Sequence, residues 1–301
     1  MANTINWGQG SVNNTNGWGK GGENSANDWG QVYANSPAGD TNIGVSEEVP
    51  FSLTLEEDLD LSTVTGGSQV YRGLYVSPDG TKVIANSYSG LEQFNRLDLS
   101  NANNLNGGLS FFDDGKWNAQ PISVTASPDG VYGFNLRLGL DLYRRNLGTD
   151  LNFKTATNQV IYTPLLPFST ASLYQRQIAF NPNGLEFYVG VLSPTPAIST
   201  YTMTTAWDIS TLTLLSTDAY PTGTLLIYGF QFLSNGTKLL TVDALGNAIL
   251  YILTTPYRLS TAQPNPQTAT IIAPLGGMSI SSEDFLYVIN NQTLTRYSLQ
   301  F

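Results

Sequence analysis

Ser77-Pro78-Asp79-Gly80 stands between two apolar runs, Gly73-Leu74-Tyr75-Val76 and Thr81-Lys82-Val83-Ile84-Ala85. Proline presets φ at the first turn position, and aspartate and glycine accept the remaining turn geometry, so the stretch reads as a β-hairpin. It recurs as Ser127-Pro128-Asp129-Gly130, Asn181-Pro182-Asn183-Gly184, Leu233-Ser234-Asn235-Gly236 and, degraded, Ser281-Ser282-Glu283-Asp284. The copies start at 77, 127, 181, 233 and 281, and so lie 50, 54, 52 and 48 residues apart. A period near fifty residues built from short strands is that of propeller blades.

Working outward from each turn, the sequence predicts four strands per repeat. In the first they are Leu74–Val76, Lys82–Asn86, Gln93–Leu99 and Leu109–Asp113. The fifth repeat offers only three, Gly277–Ile280, Phe285–Asn290 and Leu294–Leu299, before the sequence ends. A spare β-run, Phe51-Ser52-Leu53-Thr54-Leu55, precedes the first repeat. Pairing it into the last blade closes the ring and removes the exposed edges that would template aggregation. The expectation is an all-β, five-bladed β-propeller over residues 49–301, closed by residues 51–57, with an extended arm over 1–48. Tyrosines that alternate with aliphatics on the strands (Tyr75, Tyr132, Tyr188, Tyr251 and Tyr287) read as packing between blades.

Composition narrows the chemistry. Of 301 residues, 41% are apolar and 12% charged, about half the usual charged fraction, and the net charge is −10. Clustered Lys and Arg, the footprint of a nucleic-acid partner, are absent from the sequence. With no cysteine and no histidine, disulfides, thiolate nucleophiles, Ser-His triads and nearly all zinc or iron sites are excluded. No run approaches the roughly eighteen apolar residues of a membrane helix. The start, Met1-Ala2-Asn3-Thr4-Ile5-Asn6, has neither the basic region nor the apolar core of a signal peptide.

The arm is a different material, rich in Asn, Gly and Ser. It carries Trp7-Gly8, Trp18-Gly19 and Trp29-Gly30, at intervals of 11 residues. So polar a segment cannot bury enough surface to fold alone, yet a flexible linker has no need of periodic tryptophan. Trp7, Trp18 and Trp29 are therefore expected to dock into a partner or a symmetry mate.

A ligand over a propeller axis is expected where inner strands begin and second strands end. The candidates on that loop face are Tyr71, Arg72, Tyr88, Arg137, Tyr174, Arg176, Tyr228, Asp243 and Asn290. Aromatic rings stack on the apolar faces of pyranoses while fixed polar groups orient the hydroxyls, so this set points to sugar binding. Hydrolysis needs two carboxylates across the cavity. The inner strands contain no Asp or Glu, so no catalytic residue, cofactor or metal is assigned. Asp79, Asp129 and Asp284 read as turn residues, and Glu56, Glu57, Asp58 and Asp60 as a solvated strand exit. Asp113-Asp114-Gly115 lacks the alternating-oxygen spacing of a calcium loop.

Two resemblances add to this. Ile5-Asn6-Trp7-Gly8-Gln9-Gly10 and Asn27-Asp28-Trp29-Gly30-Gln31-Val32-Tyr33 resemble the leaders of virion proteins from tailed bacteriophages, in which a thin arm attaches a distal domain. That likeness covers residues 4–33. Ala206-Trp207-Asp208-Ile209-Ser210-Thr211 and Pro256-Tyr257-Arg258-Leu259-Ser260-Thr261 look like third-strand exits of Ser-Pro-Asp-Gly-type propellers. Such propellers are common in surface-layer and phage structural proteins and occur in some enzymes. The resemblances imply a virion exterior protein in multiple copies, bound to other virion proteins through residues 1–45 and to host-surface glycans through the propeller. Two alternatives stay open: a glycan-cleaving five-bladed propeller hydrolase, and a non-viral surface lectin or interaction propeller.

Overall fold

A computed structural model describes residues 50–65, 69–87, 93–116, 121–137, 141–148, 151–153, 156–162, 177–191, 196–220, 227–271, 276–282 and 284–301. The docking tryptophans Trp7, Trp18 and Trp29 lie outside them, as do Tyr88, Tyr174 and Arg176.

The described strands form five four-stranded antiparallel sheets, the blades of a propeller. Blade one holds β2 (Tyr71–Val76), β3 (Lys82–Ser87), β4 (Gln93–Leu99) and β5 (Leu109–Lys116), and blade two β6 (Pro121–Ala126), β7 (Tyr132–Arg137), β8 (Leu142–Asn146) and β9 (Thr157–Tyr162). Blade three is β10 (Ile178–Phe180), β11 (Glu186–Val191), β12 (Ala197–Thr202) and β13 (Thr213–Ala219). Blade four is β14 (Ile227–Leu233), β15 (Lys238–Asp243), β16 (Asn247–Ile252) and β17 (Gln267–Thr270). Blade five takes β18 (Met278–Ser281), β19 (Phe285–Asn290) and β20 (Thr293–Gln300) from the end of the chain. Its outer strand is β1 (Ser52–Asp60), paired antiparallel to β20 from Ser52 opposite Gln300 to Asp60 opposite Thr293. The strand exchange expected from the missing fourth strand is present, and it runs three residues beyond Glu57.

Buried apolar side chains fall into five clusters, one at each seam between neighbouring blades. Blade one packs on blade two through Tyr75, Ile84, Phe94, Val124 and Phe153. Blades two and three meet through Phe134, Leu136, Ile178 and Phe187, and blades three and four through Tyr188, Phe230, Leu239 and Tyr251. Leu240, Met278 and Tyr297 join blades four and five, and Tyr71, Leu74, Tyr287 and Leu294 seal blade five against blade one. Tyr75, Tyr188, Tyr251 and Tyr287 are packed between blades, as the alternation predicts. Tyr132 is half-buried beneath the Arg144 guanidinium.

The acidic run of β1 is more than a solvated exit. Glu57 Oε2 accepts a 2.7 Å bond from the Leu105 amide of blade one and lies 3.7 Å from Arg296. The β1–β20 register shifts between Leu55 and Glu57, and the half-buried Glu57 ties the last blade to the first. No described helix is long and apolar enough to cross a membrane.

Candidate functional site

The repeated turns build one face of the ring. Ser77 Oγ donates to Asp79 Oδ1 (2.6 Å) and accepts from the Lys82 amide (2.9 Å), while Asp79 Oδ1 also accepts the Thr81 amide (3.1 Å). Ser127 and Asp129 repeat the arrangement with Val131 and Tyr132. Burial works to raise the Asp79 pKa, but its hydrogen bonds prevail and hold it below the usual carboxylate value. The bond from Ser127 does the same for Asp129. Both aspartates are therefore ionised at neutral pH, and both shape turns, as expected. In blade three Asn181 Oδ1 takes the Leu185 and Glu186 amides, and Asn183 Oδ1 takes Leu185, so the same turn forms without charge.

Each turn glycine in blades one to four is roofed by a residue from the link between third and fourth strands. The roof residues are Asn103, Leu151, Trp207 and Tyr257, all with positive φ (58°, 50°, 62° and 62°). The Asn103, Trp207 and Tyr257 amides bond to the carbonyls of Gly80, Gly184 and Gly236 at 2.8–2.9 Å. A Cβ on Gly184 would fall 2.3 Å from the Trp207 ring, and one on Gly236 would fall 2.4 Å from the Tyr257 ring. Glycine is required there by contact as well as by φ. Two residues after each roof residue, Leu105, Phe153, Ile209 and Leu259 are buried and anchor the link.

Each roof residue also reaches the preceding blade. Asn103 Oδ1 accepts from Ser281 Oγ (2.6 Å) and the Tyr287 hydroxyl (3.0 Å) of blade five. Leu151 packs into the seam with blade one. The Trp207 ring lies 6.0 Å from Phe134 of blade two, and Tyr257 stacks 6.0 Å from Tyr188 of blade three. Beside them, Arg144 donates to the Trp207 carbonyl (2.7 Å), and Arg258 makes two bonds to Glu186 (2.6 and 3.0 Å). Burial would raise the Glu186 pKa, but the Arg258 and Tyr188 donors outweigh it and hold it low.

The five inner strands enclose an axial cavity of about 190 Å³ that opens among Pro78, Pro128, Pro182 and Asn235, on the turn face. Gln177 crosses the axis from blade three to blade five, its Nε2 donating to the Met278 carbonyl at 2.7 Å. Gly229 makes room for this bridge, since a Cβ there would meet Met278 Cγ at 2.2 Å and Gln177 Oε1 at 3.0 Å. The bridge floors the cavity at its loop-face end. Trp207, Tyr257, Phe180 and Phe232 supply aromatic wall from blades three and four, and Thr125, Gln231 and Ser279 supply polar groups. No Asp, Glu, Lys or Arg lines it. Tyr75 separates it from a shallower cleft lined by Asp79, Asp129 and Lys82. The Tyr75 hydroxyl is buried with no hydrogen-bond partner among the described residues. Burial first, and the two aspartates second, push its pKa up, so it stays protonated.

The loop face looks different from the expectation in several places. Tyr71 is 0% exposed, and its hydroxyl accepts a 2.6 Å bond from Asn95, so it is a seam residue. Asp243 is 6% exposed, and its carboxylate takes the Leu245 and Asn247 amides and Asn247 Nδ2 at 2.8–2.9 Å, so it shapes the β15–β16 turn. Arg137 donates to the Tyr143 hydroxyl (3.2 Å) and lies 3.6 Å from Asp141. Arg72 and Tyr228 are half-buried at β-bulges where the register of inner strands β2 and β14 shifts. Bulges re-aim side chains, but the matching residue of β6, Ile122, is buried in a seam, so the bulge belongs to the blade design. Asn290 ends β19 with a buried, unpartnered Oδ1 among the described residues. Among the described residues, no group of three or more Asp or Glu could hold a metal ion.

Sequence reading passed over the axial cavity on the turn face. Its signal was the pair of third-strand exits, where Trp207 and Tyr257 occupy the same repeat position.

No family model matches the chain, and no curated protein matches it significantly. Among solved structures, the chain is similar to one from a nidogen/laminin complex, at 16% identity and TM-score 0.47 over 74% of this chain and 73% of that one. It is also similar to two chains provisionally described as 6-phosphogluconolactonases. One, from Bacteroides fragilis NCTC 9343, has 14% identity and TM-score 0.42, and the other, from Bacteroides uniformis ATCC 8492, has 16% and 0.43. Both likenesses cover 68% of this chain and 56% of the other, so the chain spans little more than half their length. Identities and TM-scores this low say nothing of activity or partner.

Proposed function

We propose that this protein is a non-enzymatic structural and adhesive component of a bacteriophage particle. Residues 1–45 attach it to other virion proteins through Trp7, Trp18 and Trp29, and the propeller is displayed on the exterior to bind host-surface glycans. The observation that carries the binding half is the make-up of the axial cavity: aromatic and amide groups with no carboxylate. It supports recognition without supplying the acid–base pair that glycoside hydrolysis needs. The virion half rests on the Trp-Gly pairs at an 11-residue interval and their likeness to phage leaders. Many copies on one particle make weak individual binding effective through avidity.

The full chain is applied to a glycan array, and the same glycans are incubated with it and assayed for hydrolysis. Binding without turnover is expected, whereas turnover overturns the non-enzymatic reading. In parallel, chains lacking residues 1–45 are expected to fold and yet fail to join particles. Incorporation of the shortened chain overturns the docking role.

A further inference from the structure

The roof position over each turn glycine is filled by Asn103, Leu151, Trp207 and Tyr257 in turn. Asparagine and leucine perform the same structural task in blades one and two, so folding does not require aromatic rings there in blades three and four. Both aromatic residues line the axial cavity, on the same side as Phe180 and Phe232. Across from them stand Thr125, Ser279 and the wall formed by Tyr75.

We propose that the turn-face cavity is the glycan site and takes one neutral pyranose ring, its apolar face on Trp207 and Tyr257 and its hydroxyls toward Gln231, Thr125 and Ser279. This rests on the glycan-binding reading above and moves its site from the loop face to the turn face. Size, chemistry and charge each select that occupant. At about 190 Å³ the cavity is smaller than the roughly 300–1,000 Å³ of drug-sized sites, so it holds one ring and not an extended ligand. Its aromatic and polar sides match the two sides of a pyranose. No cationic side chain lines it, and the neighbouring cleft sets two ionised carboxylates, Asp79 and Asp129, against the single Lys82, so sialic or uronic acids meet net negative charge.

The test is saturation-transfer NMR on the full chain with methyl glucoside, galactoside, mannoside and N-acetylglucosaminide, against methyl sialoside and glucuronide. At least one neutral glycoside is expected to bind and the acidic ones to give no transfer. Gln231→Leu, at a half-buried strand position, is expected to weaken binding at least fivefold without unfolding the ring. Trp207→Phe is expected to do the same. Binding retained in Gln231→Leu and Trp207→Phe but lost in Tyr228→Ala overturns the turn-face site and leaves the glycan reading standing. Binding of acidic glycosides alone overturns the neutral assignment. Silence from all six, together with a blank glycan array, overturns both.

Discussion

Blades one and two share a plan with blades three and four and depart from it at two positions. The first pair turns on Ser-Pro-Asp-Gly with ionised Asp79 and Asp129, under roofs of Asn103 and Leu151. The second pair turns on neutral Asn183 and Asn235 under Trp207 and Tyr257. In blades one to three the turn uses a side-chain acceptor for backbone N–H groups, and whether that acceptor carries charge is secondary; in blade four the Ser234 carbonyl takes the Thr237 amide instead. The roof needs a residue that tolerates positive φ and touches the preceding blade, whatever its chemistry. The half of the ring with neutral turns and aromatic roofs is thus free to present a binding wall.

The glycine beneath each roof gives the largest test of this contrast. Gly184→Ala combines left-handed strain of roughly 1–2 kcal/mol with overpacking of about 1–3 kcal/mol against Trp207. In Gly130→Ala the nearest roof atom, Leu151 Cγ, would lie 3.3 Å away, so the strain is the same and the overpacking much smaller. Denaturant midpoints of the two variants measure the difference, and equal losses would show that the aromatic roof moves as easily as the aliphatic one.

The ties to the preceding blade come next. Asn103→Ala leaves the Ser281 and Tyr287 hydroxyls without their acceptor and is expected to cost about 1–2 kcal/mol at every pH. Glu186→Gln is expected to cost about 1–2 kcal/mol at neutral pH by weakening its bonds with Arg258 and Tyr188. Because the folded Glu186 pKa is depressed, that stability is full above the unfolded value of about 4.3 and lost as pH falls through the folded value. Unfolding from pH 7 to pH 3 should thus shrink the Glu186→Gln difference while the Asn103→Ala difference persists. The smallest effect is expected from Asp79→Asn, which gives blade one the neutral turn acceptor of blade three. A change under about 1 kcal/mol by thermal melting fits, and a larger loss would mean the charge matters to the turn.

Much of the ring was legible. Turn chemistry at residues 77–80 and its recurrences gave the blades, because proline and glycine restrict φ locally whatever the rest of the chain does. Phe51–Leu55 gave the closure, because a missing fourth strand has one complement in the sequence. The site was less legible. Tyr71 and Asp243 have the residue types of ligands, but burial and a turn claim them, and neither is visible from residue type. Trp207 stood out as part of a repeated exit, yet its place over Gly184 depends on a positive φ that a bulky residue rarely adopts.

By itself the sequence determined an all-β chain of five blades with a borrowed strand, since periodic turns and alternating apolar residues are local properties that repeat. Only the tertiary structure decided which face carries the cavity. Gln177, Met278 and Gly229 come from three different blades and meet at the axis, and the contact that floors it is set by ring geometry. Glu57 became a tie and not a solvated charge for the same reason, because its partners Leu105 and Arg296 lie 48 and 239 residues away.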